Sequence, residues 1–206
     1  MKSVAYLLTL ATVCAATVLP QPLDKRNDIW FKDTFDERNV TATILGSSAV
    51  GLYHDLQYGG ARINRPLATS GLSPRSGAQF ALTTVVTDIR AGNVTLAAFN
   101  TLTRGPGVKS FDLQSFYWGL ETGLTATSTL AQAGTISVTA YDLKGNKISE
   151  TFGFVPARLV QAPLHEVILS KRFEHLQNAT FAVESAELTT LRANVALDDV
   201  VHVNHY

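Results

Sequence analysis

The sequence has a single cysteine, Cys14, and it lies in an apolar segment near the N-terminus. Secreted domains that are too small for a good core are usually held together by several disulfides, and this chain has none to offer. A cysteine nucleophile is also excluded once that segment is removed. The fold must therefore depend on its hydrophobic core, for which a chain of 206 residues is long enough.

Clusters of basic residues are missing as well. The chain has 17 Lys and Arg residues against 17 Asp and Glu residues, and no stretch gathers the basic ones into a stripe. Proteins that bind nucleic acids or anionic lipids carry such a positive stripe. The composition therefore argues against both partners and leaves neutral ligands open, such as an extracellular glycan or a cell-wall polysaccharide.

Apart from the N-terminal segment, the chain has no strongly apolar run, and a transmembrane helix needs roughly 20 apolar residues. That segment, Val4–Val13, follows a short basic start and precedes the small residues Cys14–Ala16, which is the pattern of a secretory signal peptide. The pair Lys25-Arg26 resembles the site at which fungal secretory proteins lose a propeptide. We therefore expect residues 1–26 to be removed and a secreted, extracellular chain to begin near Asn27, without membrane insertion.

Three sequons support passage through a glycosylating pathway. They begin at Asn39, Asn93 and Asn178, and each has Thr two residues later. Any one such tripeptide arises often by chance, but three beside a signal peptide predict an N-glycosylated protein.

Helical periodicity and internal repeats are both absent, and alternation of period two takes their place. In the stretch Ser110–Phe154, Ile136, Val138 and Ala140 alternate with polar residues before the turn Leu143–Asn146, which predicts a β-hairpin. Roughly ten short strands of this kind predict an all-β sandwich, or jelly roll. With no linker after the propeptide, we expect residues 27–206 to form a single domain.

Two stretches between the predicted strands read as loops. Gly51–Gly60 is aromatic and punctuated by glycine, and it predicts a loop with one short strand. The stretch 61–77 is rich in Pro, Gly, Ser and Arg and predicts a long surface loop. Long loops are often functional.

The last predicted strand contains acidic residues among apolar ones. Its more apolar face comprises Val195, Leu197, Asp199, Val201 and Val203. This register places Asp199 on the core side, where a carboxylate requires a basic partner, several backbone N–H groups or a metal ion. Alternatively, Asp198 and Asp199 lie at a strand end, where they are capped or solvated. Asp36 and Glu37 offer further oxygens if the first and last strands are neighbours, and calcium takes six to eight such ligands.

The histidines do not form an evident zinc set in the sequence. His202 and His205 are three residues apart on a strand and therefore point to opposite faces. We expect both to lie at the surface of the C-terminal tail. His54, His165 and His175 are scattered and are expected to be isolated surface groups.

Several short motifs resemble those of a large group of fungal secreted proteins. These proteins are similar to carbohydrate-binding modules with a galactose-binding-like jelly roll, and most have no assigned function. The matching segments cover most of residues 33–203: Tyr53–Tyr58, Ser110–Tyr117, Val138–Lys147, Phe173–Phe181 and Ala196–Val200. The resemblance implies the fold. It also implies a structural calcium, which acidic residues of the first and last strands hold in related modules. Position by position, those residues are Asp36, Glu37 and Asp199.

Motifs for catalysis are not evident. Gly46–Gly51 lacks the spacing of a G-x-S-x-G nucleophile turn, and no glycine-rich phosphate-binding motif is present. Glycoside hydrolysis requires two carboxylates, and no local pattern selects a pair among those of the chain. The sequence therefore assigns no catalytic residue.

Sugar binding requires exposed aromatic faces beside amide and carboxylate groups. The candidate ligand-binding residues are Tyr53, Asp55, Gln57, Tyr58 and Asn64. Tyr117 and Trp118 alternate faces, so one of them leaves the core unless both faces are covered.

These observations favour a secreted, non-catalytic glycan- or cell-wall-binding protein. Two alternatives stay open. One is a glycan-active lyase or hydrolase on a jelly-roll scaffold, and the other is a secreted factor that binds proteins in adhesion or at a host surface.

Overall fold

The structure is a computed structural model that describes residues 28–43, 48–90, 93–96, 98–123, 128–186 and 192–206. The predicted signal peptide and propeptide, residues 1–26, lie outside these ranges. Within them, no helix has the length and apolar character needed to cross a membrane.

The described chain forms fifteen strands joined by turns and loops. They are β1 (Ile29–Asp33), β2 (Ser48–Tyr53), β3 (Leu56–Asn64), β4 (Leu72–Ser73), β5 (Phe80–Arg90), β6 (Asn93–Leu96), β7 (Ala98–Arg104), β8 (Ser110–Gly123), β9 (Thr129–Ala131), β10 (Gly134–Asp142), β11 (Lys147–Phe154), β12 (Ala162–Pro163), β13 (His165–Ile168), β14 (Leu176–Ala186) and β15 (Arg192–His205).

Thirteen of the strands pair into one antiparallel system with the central order β11-β10-β14-β7-β3-β5-β15-β8-β13. At its flanks β1 pairs with β15, β2 with β3, β6 with β5 and β9 with β8, while β4 and β12 form a separate short parallel pair. The predicted hairpin is confirmed, because Tyr141 of β10 faces Lys147 of β11 across its turn. Since the described residues form strands without helices and the main sheet is antiparallel, the prediction of a β-sandwich of the jelly-roll type is confirmed as well.

The sheet curls over a shared core of aromatic side chains. The rings of Phe116 on β8 and Phe181 on β14 meet edge to face with their centroids 5.1 Å apart. Those of Trp118 on β8 and Phe154 on β11 lie 5.5 Å apart. All four side chains are buried. Contacts between strands that do not pair at these positions require two packed layers, and such burial of aromatic rings is a large stabilising term.

The stretch Gly51–Gly60 is not a loop. It forms most of a hairpin in which β2 and β3 pair closely from Tyr53 and Leu56 outward. The two turn residues, His54 and Asp55, have φ angles of 43° and 62°. Such left-handed turns usually contain Asn-Gly or Asp-Gly. Because this turn contains His-Asp instead, the sequence does not predict the hairpin.

Strand β15 is buried on both faces from Ala193 to Val200, and its regular geometry is interrupted at Asp199, which has a φ of 47°. The register against β8 shifts on both sides of Val201, which marks a β-bulge. Beyond it His202 and Asn204 are fully buried, while Val201 and Val203 are half-buried. The bulge exchanges the two faces of the strand, so the predicted core positions of Val201 and Val203 are wrong, and so is the predicted surface position of His202.

Candidate functional site

The first strand places a carboxylate in the interior of the protein. Asp33 ends β1 and is fully buried, although it is ionisable. In the β1–β15 register Phe31 faces His202 and Asp33 faces Val200. Because opposed residues of an antiparallel pair lie on the same side, Asp33 is on the side of the buried imidazole. A buried carboxylate of this kind requires partners.

Three side chains supply those partners. Nδ1 of His54 lies 2.5 Å from Oδ1 of Asp33, and Nε2 of His202 lies 3.2 Å from Oδ2. The hydroxyl of Tyr58 donates a short hydrogen bond to the same Oδ2. The ring of Phe31 stacks on both imidazoles, at 4.9 Å from His54 and 5.2 Å from His202. This network joins β1, β15 and the β2–β3 turn, and we call it the Asp33 network.

The charges of the network follow from these contacts. Burial by itself raises the pKa of Asp33, but the hydrogen bonds from His202, His54 and Tyr58 outweigh it and hold that pKa below its ordinary value. The hydrogen bond to Asp33 raises the pKa of His54. Burial and the charge of Asp33 raise the pKa of Tyr58, so this phenol remains a donor. The network therefore contains a carboxylate held ionised by its donors.

Further contacts hold the strained turn of the hairpin. The amide of Asn204 donates to the backbone carbonyl of His54 at 2.8 Å, and the hydroxyl of Tyr206 donates to Asp55 at 2.7 Å. Left-handed residues other than glycine persist only where their surroundings determine them. The C-terminal residues thus fix His54, whose side chain is 27% exposed, at the edge of the network.

The predicted sugar-binding residues do not share one exposed surface. Tyr53, Tyr58 and Asn64 are buried, whereas Asp55 is half-buried and Gln57 is exposed. Tyr58 is a member of the Asp33 network. Binding of a glycan by these five residues stays a prediction, and the geometry leaves two of them within reach of solvent.

The neighbouring aromatic pair of β8 divides as its alternation requires. Trp118 is fully buried in the core. Tyr117 is half-buried, and the guanidinium of Arg75 lies 5.0 Å from the centre of its ring. One ring therefore packs inside, and the other makes a cation–π contact at the surface.

The three predicted calcium ligands have different partners. Asp36 accepts a backbone hydrogen bond at 2.8 Å, and Glu37 lies 3.7 Å from Nε2 of His54. Asp199 is buried, as predicted, and its Oδ2 lies 2.8 Å from Nζ of Lys32. Of the three possible partners for the buried Asp199 carboxylate, namely a basic side chain, backbone N–H groups or a metal ion, the structure shows the basic side chain. Calcium binding by these residues stays a prediction, and it requires Asp199 to exchange Lys32 for the ion.

The carboxyl group of Asp198 accepts its hydrogen bonds from backbone N–H groups. Its Oδ2 accepts hydrogen bonds from the N–H groups of Arg75 at 2.8 Å and Ser76 at 3.2 Å, and its Oδ1 accepts one from Asp199 at 2.8 Å. Burial nevertheless raises the pKa of Asp198 to about 7. The predicted capping of this acidic pair by backbone donors therefore applies to Asp198 and not to Asp199.

The opposite face of β1 carries an exposed tryptophan that was not among the residues predicted from the sequence. Trp30 faces Val203, which in turn faces Asp112, so one row crosses β1, β15 and β8. Strands lie about 4.8 Å apart, so the Cα atoms of Trp30 and Asp112 are about 10 Å apart. Phe31 packs on the buried His202, and its neighbour Trp30 points outward with 57% of its surface exposed. We call this surface the outer face.

A cavity opens beside this row. It has a volume of about 250 Å³ and lies between β8, β13 and the loop before β14. Its polar lining consists of Asp112, Gln114, Ser170, Lys171 and Glu174. Backbone hydrogen bonds hold the loop against β8, from Leu113 to Phe173 at 3.0 Å and from Leu169 to Gln114 at 2.9 Å. The cavity walls are therefore preformed.

The sequence of β1 contains a signal for both the Asp33 network and the exposed Trp30. In β1 the residues alternate in direction, so Phe31 and Asp33 on one side imply that Trp30 faces the other. The alternation does not say which side is covered. That depends on the β2–β3 hairpin, which packs His54 against Phe31.

Comparisons with known proteins give distant structural likenesses. No family model matches the chain, and no curated protein matches it. A solved structure described as "Carbohydrate binding module family29" is similar, with a TM-score of 0.37 and 12% identity over 86% of this chain and 89% of that chain. An exo-beta-agarase is similar with a TM-score of 0.40 and 9% identity, over 84% of this chain and 24% of its own. The enzymatically active domain of tailspike protein 4 of bacteriophage CBA120 has a TM-score of 0.36 and 9% identity, over 79% of this chain and 21% of its own.

Proposed function

We propose that this protein is a secreted, non-catalytic glycan-binding protein and that the outer face is its binding surface. The observation that carries the proposal is an exposed indole, Trp30, in one row with Asp112, which lines a cavity with both polar and apolar walls. An apolar ring face with a few convergent polar groups is the arrangement that recognises sugars.

The chemistry of the cavity supports a neutral, hydroxyl-rich ligand. Its polar lining combines carboxylates, an amide and an ammonium group, namely Asp112, Glu174, Gln114 and Lys171. Such a mixture both donates and accepts hydrogen bonds. Two carboxylates against one ammonium group leave only a small net charge, which favours sugar hydroxyl groups over a strongly charged ligand.

The separation of Trp30 and Asp112 across two strands supports an extended ligand. Trp30 and Asp112 are about 10 Å apart at their Cα atoms, which is two strand spacings. A single sugar ring does not span this distance, so we expect a chain of at least two linked sugars. This is consistent with a cell-wall polysaccharide as the ligand.

The test is a binding panel of soluble and insoluble neutral polysaccharides with the wild-type protein and two variants. Trp30→Ala removes the exposed indole, and Tyr141→Ala removes a ring that is 41% exposed on β10, outside the row of Trp30, Val203 and Asp112. We expect W30A to lose at least tenfold in affinity and Y141A to bind as the wild type does. Equal binding by all three proteins, or no binding to any polysaccharide, would contradict the proposal.

One observation favours a glycan-active enzyme as the second candidate function. His54 is partly exposed, and the buried Asp33 holds its Nδ1 at 2.5 Å. A carboxylate that orients an imidazole is a general acid–base arrangement. Glu37, 65% exposed, lies 3.7 Å from the other ring nitrogen.

The two candidates differ in what they release. An enzyme would produce reducing ends or unsaturated sugars from the polysaccharide that it binds, and His54→Gln would stop this production. We expect no release from the wild-type protein over a prolonged incubation with any polysaccharide bound in the panel. Release that H54Q abolishes would replace the first proposal by the second.

A further inference from the structure

We propose that Asp112, His175 and His205 form a binding site for a transition-metal ion of the zinc class. Their ligand atoms, one carboxylate oxygen and two imidazole nitrogens, all lie within 4.8 Å of one another. Two imidazoles and a carboxylate are a ligand set that zinc prefers, whereas calcium and magnesium prefer oxygen alone. The inference does not rest on glycan binding.

Three segments far apart in the sequence create this cluster. The β15–β8 register brings His205 opposite Ser110, two residues from Asp112. Leu176 pairs with Phe111 where β14 meets β8, and this places the preceding His175 beside the same carboxylate. The centroids of the two imidazole rings are 4.8 Å apart.

A fourth residue orients one of the ligands. Nε2 of His205 lies 2.8 Å from Oδ1 of Asp112, while its Nδ1 lies 2.8 Å from Oδ1 of Asp28. Metal-bound histidines almost always donate their second ring N–H to a carboxylate or carbonyl group. Asp28 fills that role and leaves Nε2 of His205 for the metal.

The backbone holds the carboxylate in place. The backbone N–H of His175 donates to Oδ1 of Asp112 at 2.7 Å, and His175 has a left-handed φ of 53°. This conformation is uncommon for a residue other than glycine. The hydrogen bond to Asp112 therefore stabilises the backbone conformation that directs His175 toward the cluster.

The cluster is close enough to the geometry of a zinc site to adopt it by side-chain motion. Tetrahedral zinc with bonds of about 2.0 Å sets its ligand atoms about 3.3 Å apart. Nδ1 of His175 is 4.0 Å from Oδ1 of Asp112, and the His175 side chain is 64% exposed, so it has room to move inward. Asp112 and His205 are 18% exposed, which leaves one side open for a fourth ligand such as water.

The experiment is a titration of the untagged protein with zinc after treatment with chelator, followed by calorimetry and repeated with cobalt for its absorption spectrum. We expect one ion per chain and a cobalt spectrum of tetrahedral type. We expect His175→Ala to lower the zinc affinity at least tenfold. Asp28→Asn should lower it less, because it removes an orienting group and not a ligand.

His165→Ala is the matched control, since it removes a histidine of β13 that is not in the cluster. It should leave the zinc affinity unchanged. Because His175 is exposed, H175A should melt as the wild type does in chelator, which separates a lost ligand from a lost fold. Absence of a stoichiometric zinc site, or an equal affinity in H175A, would overturn the proposal. Glycan binding that persists in chelator would keep the function proposal separate from this one.

Discussion

Nε2 of His202 lies 3.2 Å from Oδ2 of Asp33, and this contact links the last strand of the protein to the first between two side chains with no exposed surface. The two residues are 169 positions apart. Closing such a long loop has an entropic cost that strong local contacts must offset. The Asp33 network therefore holds the two ends of the described chain together.

Removal of the central carboxylate should strongly destabilise the fold. Asp33→Ala leaves His202, Tyr58 and His54 without the acceptor that they share. Breaking a buried charged network from one side costs about 3–5 kcal/mol. We expect a loss of that order in the free energy of unfolding, measured by denaturant titration. Glu174→Gln, an exposed change, is the control, and a loss below about 1 kcal/mol in D33A would contradict this role.

The ion pair between His54 and Asp33 should give stability a defined pH window. The pKa of Asp33 is lowered from 3.8, so its contribution is present above that value and is lost as the pH falls through the folded pKa. The pKa of His54 is raised from 6.5, so its contribution is complete below that value and is lost as the pH rises through the folded pKa. The difference in melting temperature between wild type and His54→Gln should be largest between these values and smaller at pH 9. A difference independent of pH would contradict the ion pair.

Asp198 should give the stability of the fold a pH dependence opposite to that of a carboxylate with a lowered pKa. Its pKa is raised from 3.8 to about 7, so folding takes up a proton between these values. The stability that this group contributes is complete below the lower value and is lost as the pH rises toward the higher one. The advantage of wild type over Asp198→Asn in the free energy of unfolding should therefore shrink between pH 4 and pH 7. An advantage that grows over this range would show that the backbone donors hold the carboxylate ionised instead.

Calcium should compete with Lys32 for Asp199. Nζ of Lys32 lies 2.8 Å from the buried carboxylate, so an ion bound by Asp36, Glu37 and Asp199 must displace it. Lys32→Met keeps most of the length of the side chain and removes this competitor. We expect calorimetry to find tighter calcium binding in K32M than in the wild type. Absence of calcium binding in both proteins would remove the calcium site predicted from the family resemblance.

The fold class was accessible from the sequence because alternation survives wherever one face of a strand is covered. The hairpin of β10 and β11 is the clearest example, with its residues paired from Gly134 to Phe154. The β2–β3 hairpin escaped the same reasoning because His54 and Asp55 adopt turn conformations that their residue types rarely take. The β2–β3 hairpin was therefore not predicted because of its turn residues and not because of its hydrophobic pattern.

The candidate sites were less accessible, since each depends on contacts between distant segments. The bulge at Asp199 decides that His202 points inward, and alternation alone assigns it to the other face. The histidine that joins His205 is not its sequence neighbour His202 but His175, which the pairing of β14 with β8 delivers. Strand pairing thus brings together histidines and carboxylates that are isolated in the sequence.

The sequence by itself determined that the fold is an antiparallel all-β sandwich, because strand periodicity is a local property of neighbouring residues. Strand register also placed Asp199 on the core side as one of two alternatives, and the residue is buried. The tertiary structure alone decided how buried charges are satisfied: Lys32 on Asp199, and two histidines with Tyr58 on Asp33. A charge in the interior is satisfied by whatever donor the fold brings within about 3 Å, and that proximity is a property of register and bulges across the whole chain.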